Sequence, residues 1–328
     1  MRHTKTLVAV LIGFALTAGA VRARAAVEGS FERSLKVTGA TDIDVKTGSG
    51  DISVRQGEPG TVRIAGRIKA RSGWLADTGM SPEERVRNLE QNPPISQTGN
   101  SIRIGHIDDP ELKRNVSISY EITVPAETRL RSESGSGNQS IDGVKGPVRA
   151  GTGSGNVTIS SVSDEVRAET GSGDLSLRAL GSGVYANTGS GNIRATSVSG
   201  RFVGQTGSGD VRIEQSRLRH VDIQTGSGNI FAEGVGGTLI VSTGSGDITV
   251  EGKQAGEWKL EAGSGTIHVR LPSDAAFDLR AHTGSGRINT AHPLTVVGAM
   301  SRHDMRGKVR GGGALIDVST GSGDIELQ

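Results

Sequence analysis

The sequence predicts an all-β chain, a single-stranded parallel β-helix (solenoid) of about eighteen-residue coils with one short helical insertion. Three observations predict it. A Gly-Ser-Gly turn recurs at near-constant spacing, apolar and polar residues alternate on both sides of that turn, and glycine, at 50 of 328 residues, is about twice its usual ~7% share. Proline is sparse and there is no Gly-X-Y period, so collagen is excluded.

The first 25 residues form a secretory signal peptide by their layout. Arg2 and Lys5 give a basic start, Leu7 to Ala20 an apolar run, and Ala23-Arg24-Ala25 a small-x-small cleavage site before Ala26. The run is shorter than the ~20 apolar residues of a membrane span. The full chain carries 37 basic and 35 acidic residues. Without Arg2, Lys5, Arg22 and Arg24 the remainder has 33 against 35, a net charge of −2. Nucleic-acid binding thereby loses its electrostatic support. There is no cysteine, hence no disulfide, thiol catalysis, cysteine metal site or lipoprotein acylation. The expected product is an exported solenoid over 26–328, located in the periplasm, at the cell surface or outside the cell.

The repeat follows. The turn recurs with its first glycine at 48, 135, 153, 171, 189, 207, 226, 244, 263, 284 and 321. The structural turn residues are Gly153, Gly155, Gly171, Gly173, Gly189, Gly191, Gly207, Gly209, Gly226, Gly228, Gly244 and Gly246. They are expected to permit a bend with positive φ. The last step, of 37 residues, is expected to hold two repeats with one degenerate motif. In one coil Val166, Ala168 and Thr170 point inward before the turn and Leu175 and Leu177 after it, with Leu180 at the second corner. One coil cannot bury these residues, but a stack can. In-register stacking at ~4.8 Å would place Thr152, Thr170 and Thr188 in a hydroxyl ladder. Asn138, Asn156, Asp174, Asn192 and Asp210 would form a polar ladder, its mixed charge relieving repulsion between carboxylates. Trp258 aligns with the inward column of Val166. The handedness rule for parallel connections favours a right-handed coil.

Two segments interrupt the repeat. About 72–96 holds the helix start Ser81-Pro82-Glu83-Glu84, with the apolar stripe Val86 and Leu89. Trp74 and Leu75 precede it as candidate partner contacts. About 292–313 is expected to be an irregular coil or hairpin. Insertions on a regular scaffold are where recognition is expected.

The sequence resembles the bacterial "putative adhesin" family, a domain-of-unknown-function group of exported β-strand-repeat proteins. The residues that carry the resemblance are Ile122-Thr123-Val124-Pro125-Ala126 leading to Leu130 and Gly135-Ser136-Gly137. The repeated Thr-Gly-Ser-Gly-Asp/Asn-Ile turns and the ending Leu315 to Ile325 carry it too. It implies a parallel β-solenoid in a cell-envelope setting and supplies no catalytic residues.

The chemistry that could ride on such a scaffold is sparse. Calcium wants 6–8 oxygens, whereas Asn156, Asn192 and Asn229 replace Asp in alternate coils. Glycan cleavage needs two placed carboxylates, but no acid cluster departs from the repeat and aromatics are 3% of the chain. His282, His292 and His303 match no zinc spacing and are expected to be exposed. Threonine is single per coil and inward, unlike an ice-binding face. Arg131, Arg149 and Arg167 fall in one outward column, with Glu133 and Glu169 nearby to neutralise it. The expectation is a non-enzymatic envelope or secreted interaction scaffold with no cofactor and no catalytic or metal residues. Its partner would be an envelope protein or a glycan. A polysaccharide-binding or -cleaving β-helix is the alternative, and an envelope protein without specific ligand a third.

Overall fold

The structure is a computed structural model that describes residues 26–72, 79–214, 217–297 and 301–328. The signal peptide and the Trp74 and Leu75 contacts lie outside the described residues. Each coil places one strand before its Gly-Ser-Gly turn and one after it. Strand Val148–Thr152 pairs in parallel with Val166–Thr170, and that with Val184–Thr188, always offset by 18 residues. Past the turn, Val157–Val162 pairs in parallel with Leu175–Leu180. Two sheets result, face B from the strands before the turn and face A from those after it. The long strand Ile193–Thr206 belongs to both and joins them into one 28-stranded sheet. Among the described residues the chain is all-β, with two short helices, α1 (Pro82–Gln91) and α2 (Pro110–Lys113).

Alternation fixes what fills the space between the faces. Val166, Ala168, Leu175, Leu177 and Leu180 are at most 1% exposed. Trp258 lies in the inward column between Leu239 and Ile316, and its indole N–H donates to the Gly237 carbonyl (2.9 Å). Gln139 interrupts the apolar column between Ile52 and Val157 yet is buried.

The expected positive φ is present at some turn glycines, such as Gly246 (143°), but close stacking requires glycine even where it is absent. Gly171 and Gly173 have no positive φ. A Cβ on Gly173 would stand 1.9 Å from the Gly155 carbonyl oxygen, and one on Gly171 would stand 2.3 Å from that of Gly153. Close stacking of turn on turn therefore excludes a side chain. Left-handed backbone at non-glycine residues of these coils sits at the second corner, where Ser161, Ala179 and Ser197 have φ of 57°, 53° and 56°. The threonine ladder is relayed through the backbone. Thr188 Oγ1 donates to the Gly173 carbonyl of the preceding coil (2.9 Å) and accepts from the Gly191 N–H (3.0 Å). The Asn/Asp column works similarly. Each side-chain oxygen accepts the backbone N–H of its counterpart one coil on, as in Asp174 N–H to Asn156 Oδ1 (2.9 Å) and Asn192 N–H to Asp174 Oδ1 (2.8 Å). Either residue serves, because the position asks only for an acceptor oxygen.

Both ends of the repeat depart from sequence order. Strand Thr41–Thr47 lies between Ser101–Ile104 and Thr128–Ser134, so the first coil in sequence is not outermost. Strand Leu315–Ser322 lies between Trp258–Ser264 and Phe277–Ser285, and Ile325–Leu327 lies between Ile267–Arg270 and Ile288–Thr290. The 37-residue step thus hides no degenerate coil. The final coil stacks beneath the one that precedes it. The intervening chain supplies antiparallel strands Leu294–Val296 and Asp304–Val309, the latter on the outer edge of Phe277–Ser285.

At the other end, Val27–Lys36 and Thr61–Ala70 pair antiparallel, and Thr61–Ala70 pairs antiparallel with Val116–Val124. Helix α1 lies against the first two strands. Its Val86 and Leu89 are buried, and its Glu90 accepts the Ser30 N–H (3.0 Å). Ser81 caps it in a full capping box with Glu84. The Ser81 hydrogen bonds hold the Glu84 carboxyl below the ordinary carboxylate range.

Candidate functional site on face B

The coil geometry sends every second residue outward, so each face displays columns running along the stack. On face B, parallel register places Arg131, Arg149 and Arg167 in one column on consecutive strands, ~4.8 Å apart. The two outer arginines are engaged. Arg131 Nε donates to Glu133 Oε1 (2.9 Å), and Arg167 Nε hydrogen-bonds Glu169. The hydrogen bond from Arg131 holds the Glu133 carboxyl below its usual range, and Lys46 adds to this at 3.3 Å. Reciprocally, the Glu133 and Glu169 hydrogen bonds raise the pKa of Arg131 and Arg167.

Arg149 differs because its strand carries Gly151 where the neighbouring strands carry Glu133 and Glu169. Among the described residues its side chain has no hydrogen bond or ion pair. A Cβ on Gly151 would meet nothing within 4 Å, so the glycine leaves a recess of about 280 Å³ bounded by the three arginines and two glutamates. These five side chains sum to a charge of +1.

The column continues past Arg167 to Tyr185 and Val203, both half-buried. The Arg201 guanidinium lies 5.9 Å from the Tyr185 ring centroid, within the ~6 Å reach of a cation–π contact. Asn187 and Gln205 stand beside them, exposed and in register. A second recess, of about 210 Å³, is bounded by Arg167, Glu169, Tyr185, Asn187, Val203 and Gln205, the first two already paired with each other. Arg167 belongs to both recesses, so they form one shallow groove along the stack.

Two other depressions are less suited to recognition. A groove of about 780 Å³ on face A is lined by Arg55, Arg67, Lys69 and hydroxyl side chains. There Glu121 engages Arg67 and Glu28 engages Lys69 (3.0 Å). The cavity of about 300 Å³ beside Lys46, His106 and Lys113 reaches the Tyr120 ring. The Tyr120 hydroxyl is itself buried, and burial pushes its pKa up.

The structure brings together Arg131, Arg149 and Arg167 as their spacing implied. Tyr185, Arg201, Asn187 and Gln205 were missed, although the break Glu133–Gly151–Glu169 at 18-residue intervals was a readable signal. The turn glycines stack on one another along the corner, the first of each pair exposed and the second more enclosed, as Gly171 and Gly173 are. His292 corrects the expectation of exposed histidines. It is 7% exposed and packs edge-on against Phe277, ring centroids 5.5 Å apart. The chain after Ile288–Thr290 stays bound to the stack, Ala291 N–H donating to Leu327 (2.9 Å), and this carries the ring onto the core. His282 and His268 pair with Asp304 (2.8 Å) and Glu326 (3.1 Å). Among the described residues no three His, Asp or Glu side chains converge on a metal site, and no helix is long and apolar enough to cross a membrane. The Asn/Asp oxygens at the turns are occupied by backbone N–H groups, which leaves calcium a poor supply of ligands.

Three solved bacterial structures are similar over 92% of this chain. A "putative adhesin" from Parabacteroides distasonis is 12% identical with a TM-score of 0.35, over 97% of its own length. A "putative adhesin" from Bacteroides fragilis is 15% identical at 0.31, also over 97%, and a "putative cell adhesion protein" from Clostridium sporogenes 12% at 0.21, over 99%. Likeness at these scores carries no argument about activity. No curated protein matches. The Toastrack DUF4097 family matches residues 120–328, well over half the chain, in keeping with the resemblance read from the sequence. The chain belongs to the Toastrack DUF4097 family.

Proposed function

We propose that this protein is a non-enzymatic, adhesin-like interaction scaffold of the cell envelope or secreted space, and that the face B groove is its recognition surface. The observation that carries this reading is Arg149. It is an exposed guanidinium without a partner, set in a recess that a glycine opens between two neutralised arginines. An unpaired charge in a built recess offers a ligand more than the solvated ion pairs around it. The in-register parallel ladder supports a parallel β-helix over 26–328, and the handedness rule for parallel connections favours a right-handed coil. The N-terminal layout supports export with cleavage before Ala26.

Recognition through the helical insertion is less well supported, because α1 spends Val86 and Leu89 on the core. Removing it would open the end of the stack, so a point variant on face B is the better probe. Labelled chain is incubated with envelope fragments of the producing bacterium, alongside Arg149→Glu. The expected result is retention by the native chain that falls at raised salt and is lost in the variant, with an unchanged circular dichroism spectrum. Equal retention of both would remove face B from the function.

A further inference from the structure

We propose that the face B groove binds a linear glycan containing uronic acid, its carboxylate on Arg149 and a neighbouring sugar ring on Tyr185. This deepens the reading of face B as the recognition surface and rests on it.

The charge of the recess selects the anion. Arg131, Arg149 and Arg167 face Glu133 and Glu169, leaving one unit of positive charge. A singly charged carboxylate fits that balance and the planar fork of a guanidinium. A dianionic phosphate would bring its second charge against the two glutamates. The rest of the groove selects the body of the ligand. Tyr185 lies two strands from Arg149, about 9.6 Å along the stack, roughly the span of two linked sugar rings. Arg201 holds one side of the tyrosine ring. The Asn187 and Gln205 amides supply donors and acceptors for sugar hydroxyls in the next column.

A peptide ligand is disfavoured by the same geometry. The face B strands Val148–Thr152, Val166–Thr170 and Val184–Thr188 are paired on both edges, so no main-chain hydrogen bonds are open to an added strand. What these strands present is a flat row of side chains at even pitch, suited to a linear polymer laid along the stack.

The test is calorimetric titration of the full chain with oligomers of four to six rings in which glucuronate alternates with a neutral N-acetylated sugar, one carboxylate per two rings, and with the same oligomers after reduction of their carboxyl groups. The expected result is binding to the acidic oligomer only. It should weaken by roughly tenfold or more in Arg149→Ala, the loss of a charge-assisted contact, and less in Tyr185→Ala. Arg149 touches no other side chain through a polar contact, so its removal should leave folding intact, which circular dichroism checks. Binding that survives carboxyl reduction, or that Arg149→Ala leaves unchanged, overturns the proposal. If envelope retention depends on Arg149 while no uronate oligomer binds, the ligand class is wrong and the scaffold reading stands. If a polyphosphate chain binds through Arg149 in place of the uronate, the charge argument is wrong. If neither envelope nor oligomer responds to Arg149, both readings fall.

Discussion

Gly173 and Gly151 lie on neighbouring coils, yet a methyl group should affect them in opposite ways. At Gly173 it would meet the Gly155 carbonyl oxygen at 1.9 Å, backbone that cannot give way without parting two coils. Gly173→Ala should cost about 1–3 kcal/mol, the range of core overpacking. At Gly151 the same methyl enters open space and the φ is ordinary, so Gly151→Ala should be neutral or gain up to about 1 kcal/mol through the unfolded chain. Urea denaturation of the two variants checks this contrast. The period that marks both glycines is plain in the sequence, but their reasons are not. Stacking distance is a property of two coils, and a single repeat read alone points to turn conformation instead. The Asn/Asp alternation was legible as a ladder but not as one of side chain to backbone. Only the structure shows that Asn156 and Asp174 serve as acceptors for the next coil's N–H.

At the scale of the element, helix α1 illustrates what local chemistry states and what it leaves open. Ser81, Pro82 and Glu84 announce a capped helix start, and the capping box forms. Its destination was not legible, because the antiparallel strands it rests on, Val27–Lys36 and Thr61–Ala70, stand outside the repeat. The cap makes a pH prediction. The folded pKa of Glu84 is depressed, chiefly by the Ser81 backbone N–H. Its contribution is therefore complete above the unfolded carboxylate value, ~4.3, and fades as pH falls through the lower folded value. Native stability should drop across that acid window, and Glu84→Gln should flatten the corresponding part of the profile. Thermal melts at stepped pH, comparing the two slopes, are the check; identical slopes would mean that the cap contributes no pH dependence. The arginine column is likewise an element-scale feature. Its membership followed from spacing, while its one unpaired member emerged only when Gly151 was placed between Glu133 and Glu169.

Across the whole molecule, the repeat predicts a stack but not its order. An eighteen-residue period says that coils lie on coils, and sequence neighbours are the simplest choice. Instead both terminal coils are held inside the stack, each covered by a coil that joins it through a longer connection. The outer positions then go to segments with antiparallel strands, which close the sheet edges, as Glu90 does at Ser30. This arrangement gives the groove a rigid middle, since the coils around Arg149 have neighbours on both sides. The chain has no cysteine, so introduced pairs can report the order directly. Asp317 pairs in register with Lys259 on one side and with Arg280 on the other. Lys259→Cys combined with Asp317→Cys should therefore form a disulfide on mild oxidation. Lys259→Cys combined with Arg280→Cys should not, because two strand spacings, about 9.6 Å, exceed the ~7 Å limit between Cα atoms. Mass spectrometry of the oxidised proteins decides it: a bridge in the first pair alone is the predicted result, and a bridge in the second pair alone would contradict the inserted final coil.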